Sequence, residues 1–184
     1  MRTGLRILSV LWVFSGGAFV SGCGYTLAGR GSALPASIKT IGIPMFTNRT
    51  SVFNLETTLT TKVRAEFAGR GKYEMVPSAA GVDALLTGEV TAVSIVPSAF
   101  NSAQLASRYA ITMTARVELR NTRDDMVLWD NPGLVFRQEF DATGNQSAAG
   151  AVDPTTFFGQ DTNALDRMST EFARSIVSAI LESF

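Results

Sequence analysis

The chain has 184 residues, 16 basic and 16 acidic side chains, a net charge of +0, one cysteine and no histidine. That balance argues against a general nucleic-acid binder, which is ordinarily clearly basic. The absent histidine and lone cysteine remove the commonest general base, the usual zinc ligands and any disulfide within the chain, so packing must supply stability.

The first element is a short basic start, Arg2 and Arg6, followed by apolar Ile7 to Val20 and then Ser21, Gly22 and Cys23. A charged start, an apolar stretch and small residues ahead of a cysteine form a secretory signal of the lipoprotein type. The alternative is a transmembrane helix. That needs about 20 apolar residues, and this run is shorter and diluted by Ser15, Gly16 and Gly17. Residues 1–22 are therefore expected to be removed, which leaves a slightly acidic remainder. Cys23 becomes the acylated first residue, with palmitate the expected amide-linked chain. Each buried CH₂ contributes about 0.8 kcal/mol, and more than one chain anchors stably. Gly24 stands where bacterial lipoproteins kept in the inner membrane usually have Asp, so resemblance to that class favours the outer membrane. Residues 23–37 read as a lipidated tether and lead-in loop, broken by Gly24, Gly29, Gly31 and Pro35. Residues 38–184 read as one domain.

Ile38 to Phe46 reads as a strand with Ile41, Ile43 and Met45 on its core face, and Pro44 places its end at a sheet edge or leaving the sheet. Asn54 is positioned to cap a helix starting at Leu55. Val52, Leu55, Leu59, Val63 and Phe67 make its apolar stripe, and Gly69 and Gly71 supply its stop. Tyr73 to Val76 then gives a short strand, so the span predicts a right-handed βαβ-like crossover. Asp83 to Val96 is the next strand, with Leu86 and Val90 on one face, followed by a loop from Pro97 to Ser107. Arg108 to Arg120 alternates: Tyr109, Ile111, Met113, Ala115, Val117 and Leu119 on one side, polar residues mostly on the other. Asn121 to Asp125 turns the chain into Met126 to Trp129. After Asn131-Pro132-Gly133, Leu134 to Phe140 reads as a further strand. Ala142 to Thr162 reads as a long loop. Asn163 and Asp166 then resemble a helix cap, and Leu165, Met168, Phe172, Ile176 and Ile180 form a second stripe. The expected fold is α+β, a two-layer sandwich with two amphipathic helices packed on one face of a small mixed, mostly antiparallel sheet.

Little chemistry is left for catalysis. Asp124-Asp125 sits in a polar turn, the solvated setting for such a pair. Gly29-Arg30-Gly31 and Gly69-Arg70-Gly71 lack the flanking pattern of a phosphate-cradling loop. The expectation is no catalytic residue, no metal and no cofactor beyond the covalent lipid on Cys23. Arg108, Arg116 and Arg120 have even spacing and project from one side of a strand. Arginine forks suit phosphates, so these three are candidates for lipopolysaccharide contact; the plain alternative is a solvated face that Glu118 partly neutralises. Phe157 and Phe158 either fasten the long loop or meet a partner.

The stretch Gly22-Cys23-Gly24-Tyr25-Thr26-Leu27-Ala28-Gly29 resembles the mature start of the LPS-assembly lipoprotein family, LptE. Leu34-Pro35 and Ile38-Lys39-Thr40-Ile41-Gly42-Ile43-Pro44-Met45-Phe46-Thr47-Asn48-Arg49-Thr50 are similar to that family's first strand and following turn. Asp83-Ala84-Leu85-Leu86-Thr87-Gly88-Glu89-Val90 resembles its next recurring segment. An alternating strand, a hairpin with Leu128-Trp129 and a C-terminal amphipathic helix follow in the same order. The resemblance implies a non-catalytic lipoprotein at the periplasmic face of the outer membrane. Such a protein plugs and helps assemble the LptD β-barrel translocon and assists lipopolysaccharide insertion at the cell surface. The implied partners are an LptD-type barrel, lipopolysaccharide and, through the lipid anchor, the membrane, with no nucleic acid. No family motif carries over to the arginines, which stand on strand geometry alone. A looser likeness to curli-assembly lipoproteins, activators of peptidoglycan synthases and the amino-terminal domain of TolB leaves a second reading. In that reading the chain is an envelope lipoprotein that regulates or assembles another machine.

Overall fold

A computed structural model describes residues 34–70, 73–142 and 150–184. Cys23 and the signal segment lie outside the described residues. The described elements in chain order are β1 (Thr40–Gly42), β2 (Thr47–Asn48), α1 (Leu55–Gly69), β3 (Glu74–Val76), β4 (Ala84–Phe100), β5 (Ala106–Asn121), β6 (Val127–Asp141), α2 (Pro154–Gln160) and α3 (Thr162–Glu182). The strands form one mixed, open sheet in the order β3-β1-β4-β5-β6, with β2 alongside β4. Helices cover one face of it, the α+β arrangement expected from the sequence, with a third helix added.

The first half is a parallel crossover. β1 pairs parallel with β3, and α1 makes the connection. Leu55, Leu59, Val63 and Phe67 are all buried, so the stripe read from their spacing is the docking face of α1. Asn54 does hold the N-cap position, but its side chain does not cap: its backbone is left-handed, φ 59°. Its carbonyl instead accepts from the Thr58 N–H at 3.1 Å. Arg64 Nε donates to the Ile43 carbonyl at 2.9 Å, and the Phe46 N–H donates to Thr60 Oγ1 at 2.9 Å. These two bonds fix the chain that leaves β1.

They also correct one reading. Ile38 to Phe46 is not a single strand: it ends at Gly42 and resumes as β2. Pro44 has no N–H to continue the ladder. Past it Phe46 turns inward to 3% exposure, while Met45 points outward at 60%.

The second half is a long antiparallel meander. β4 and β5 pair from Ala84↔Asn121 to Phe100↔Ala106, so the loop read from Pro97 to Ser107 shrinks to a short tip. Pro97 is tolerated because, among the described residues, that edge of β4 pairs only through the isolated bridge of Ile95 with Val152. The Ile95 carbonyl on the same edge accepts only from Val152 N–H, at 3.1 Å, and Pro97, two residues on, aims its missing donor the same way. Likewise Asn131-Pro132-Gly133 does not separate two strands. β6 runs through it as a bulge, because Val117 pairs with Asn131 and Ala115 with Leu134, leaving Arg116 opposite both Pro132 and Gly133. β6 is an edge strand, where a proline and a bulge cost little.

The long loop also gains an element. Asp153 accepts from the Thr156 N–H at 3.0 Å and Pro154 takes the first turn of α2. Asp153-Pro154 is a readable helix-start signal that the small-residue composition of the stretch obscured. α3 likewise begins before the expected cap: Asp161, not Asn163, accepts from the Ala164 N–H at 2.9 Å. Asp166 instead pairs with Lys62 of α1 at 2.7 Å. Met168, Phe172, Ile176 and Ile180 are buried as their spacing implies, and Leu165 is half-buried.

Candidate functional site

β5 sets the geometry of the candidate face. Its odd positions from Tyr109 to Leu119 are buried beneath the helices. The helix layer meets them through aromatic edges: Tyr109 against Phe157 at 5.7 Å and Phe136 of β6 against Phe172 at 5.8 Å. The even positions therefore project from the opposite side, which no described helix covers, although Ala110 there is buried. Arg108, Arg116 and Arg120 all lie there, exposed or half-buried.

The three do not converge. At about 3.4 Å per residue, Arg116 lies roughly 14 Å from Arg120 and roughly 27 Å from Arg108. They form a row along the strand and no single anion pocket. Two of them are already engaged. Arg108 meets Asp141 at 3.3 Å and Glu139 at 3.5 Å. Arg120 meets Glu118 at 2.7 Å and Asp125 at 3.1 Å, and the Glu118 hydrogen bond raises its already high pKa. Arg116 has no ion pair among the described residues. Its β4 neighbour is Glu89, whose carboxylate is taken by Arg49 at 2.7 Å. Arg49, Glu89 and Arg116 thus make a row with one cation in excess, beside the β6 bulge. Exposed pairs of this kind contribute about 0–1 kcal/mol.

Phe157 and Phe158 are 1% and 4% exposed and touch edge-on at 5.5 Å. Of the two readings, they fasten α2 to the core and leave no aromatic surface for a partner. Phe53 is the exposed aromatic nearby, at 78%. It borders an apolar cleft of about 410 Å³ with Val52, Phe158 and Leu165.

Asp83, just ahead of β4, is a heavily bonded carboxylate that the spacing marks only as the start of a strand. It accepts from the Lys39 N–H at 2.9 Å, the Thr40 N–H at 3.0 Å and Thr40 Oγ1 at 3.1 Å, and it pairs with Arg123. The two backbone donors, first of all, hold its carboxyl well below the usual range. The group ties β1, β4 and the β5–β6 turn together. An Asp immediately before an apolar strand was the available signal.

Among the described residues no group of three or more Asp, Glu, His or Cys is placed to hold a metal ion. No described helix is long and apolar enough to cross a membrane.

A family model described as LptE, lipopolysaccharide-assembly, matches residues 38–180. Among solved structures the chain is similar to the hypothetical protein CT253 from Chlamydia trachomatis, with 13% identity and a TM-score of 0.50 over 78% of this chain and 96% of that one. It is also similar to the rare lipoprotein B from Shewanella oneidensis, with 10% identity and a TM-score of 0.49 over 79% and 96%. A lipoprotein B from Nitrosomonas europaea gives 10% identity and a TM-score of 0.48 over 84% and 88%. At such identities the first of these likenesses speaks for the fold alone. No curated protein matches the sequence.

Proposed function

Because the chain belongs to the LptE lipopolysaccharide-assembly family, a family of non-enzymatic envelope lipoproteins, we propose that it plugs and helps assemble an LptD-type β-barrel in the outer membrane. In that role it assists lipopolysaccharide insertion, held at the periplasmic face by lipid on Cys23 and performing no catalysis itself. The family match over residues 38–180 is the observation that carries this reading. Two features of the molecule support it. The chain has no histidine and one cysteine, which suits a role done by shape and surface. The uncovered sheet face carries its cations in a row, which fits an extended phosphorylated amphiphile better than a small soluble anion. On that face Arg116 contacts the glycolipid first, since it gives up no ion pair, and Arg108 and Arg120 follow by exchanging carboxylate for phosphate.

Purification of the tagged protein from membranes in mild detergent tests the reading. A stoichiometric large β-barrel is expected to accompany it. Its repeated absence, or recovery of a peptidoglycan synthase or a ring-forming channel in its place, overturns the proposal.

A further inference from the structure

β6 ends the sheet, and among the described residues no strand pairs with its outer edge. Such an edge presents backbone N–H and C=O groups that another strand can fill. Pro132 and Gly133 confine the bulge to one half, and from Leu134 to Asp141 the strand pairs without a register shift. Gln138 sits at the middle of that regular stretch. Its Oε1 is buried and has no hydrogen-bond partner among the described residues. The side chain lines a cleft of about 290 Å³ between β6 and α3, together with Phe136, Glu171 and Arg174. A buried amide oxygen is costly to leave alone.

We propose that a second copy of this chain fills the edge: two β6 strands pair antiparallel about a twofold axis through Gln138. In this register Arg137 lies opposite Glu139 of the second copy, and Glu139 opposite its Arg137. Both side chains belong to the uncovered face, because their β5 neighbours Thr112 and Ala110 alternate with the helix-facing Ile111 and Met113. Arg137 has no ion pair among the described residues, and Glu139 has only the 3.5 Å contact to Arg108. The neighbouring registers are worse. An axis through Arg137 sets two arginines against each other, and an axis through Glu139 sets two glutamates against each other. Like charges directly opposite destabilise a strand pair. The Gln138 axis also brings two amides together, so that, with each side chain turned from the cleft to the strand edge, each Nε2 donates to the other's Oε1 and the orphaned oxygen gains its donor. Phe136 meets Phe140 of the second copy on the helix side. The contact is self-complementary, as a twofold interface must be. It concerns the chain apart from any barrel and does not rest on the function proposed above.

Sedimentation of the purified full chain in non-denaturing detergent, with protein mass separated from bound detergent, tests the pairing. The expected mass is twice that of one chain. Arg137→Glu and Glu139→Arg each reduce it to a single chain, and the double variant R137E/E139R restores the doubling by exchanging the charges. A single-chain mass for the unaltered protein overturns the inference, whether the edge stays bare or a barrel strand takes it. So does a doubled mass that survives R137E. Should a charge variant fail to fold, as judged by circular dichroism, cysteine placement decides. Under mild oxidation Gln138→Cys is expected to link two copies. Val135→Cys, about 10 Å from the axis along the strand, is expected not to. Absence of the link in Gln138→Cys contradicts the proposal.

Discussion

Alternate residues of β5 meet two different surroundings. Tyr109, Ile111, Met113, Ala115, Val117 and Leu119 are each at most 1% exposed, under the helices. Arg108, Arg116, Glu118 and Arg120 face outward; Arg108, Glu118 and Arg120 sit in ion pairs, Arg120 also donates to the Asp125 carbonyl, and Arg116 has no ion pair among the described residues. One strand thus carries the core on one side and an uncovered ionic surface on the other. Packing dominates the first side, where each buried side chain removes apolar area from water. On the second side the ion pairs are screened and contribute little, which leaves those residues free to serve recognition.

The largest expected effect comes from breaking the covered side. Phe172 is buried against Phe136, 5.8 Å away and edge-on. Phe172→Ala should cost about 3–5 kcal/mol, read as a fall in the urea midpoint. A wild-type midpoint would mean that α3 does not pack as described. Next is overpacking. A Cβ added at Gly88 would meet the Phe46 ring at 2.5 Å. Gly88→Ala should displace that ring and cost about 1–3 kcal/mol, again by urea denaturation.

The Asp83 cluster sharpens the comparison in acid. Its carboxyl has a depressed pKa in the folded chain. Its stabilisation is therefore fully present above the ordinary Asp value of about 3.9 and is lost as pH falls from there toward the depressed value. Asp83→Asn should flatten that part of the stability-against-pH curve, measured by thermal unfolding at each pH. An unchanged acid limb would remove Asp83 from its role as the tie between β1 and β4.

The covered side was the legible one. The period of two along β5 and the three- and four-residue spacing on α1 and α3 named the buried positions, because burial selects residue type directly. Prolines misled where context decides their meaning. Pro97 and Pro132 read as breaks, yet both lie in strands, because each stands where a missing N–H goes unneeded. Pro44 did mark where the chain leaves the sheet, since β1 ends at Gly42, and only the core place read for Met45 fails, because past the proline that side chain turns out. The register that makes β4 and β5 one long hairpin depends on pairings distant in sequence, which local spacing does not encode. On the uncovered face, spacing put the three arginines on one side. It could not reveal that Asp141, Glu139 and Asp125 hold two of them, since those partners come from β6 and the turn before it.

The division of labour between the two sides is tested most directly by changing Arg108, Arg116 and Arg120 to Ala together, then measuring thermal stability and lipopolysaccharide capture on the same preparation. The expected result is a stability change of about 1 kcal/mol or less, far below that of Phe172→Ala, with capture clearly weakened. Undiminished capture by the folded triple variant would contradict the account.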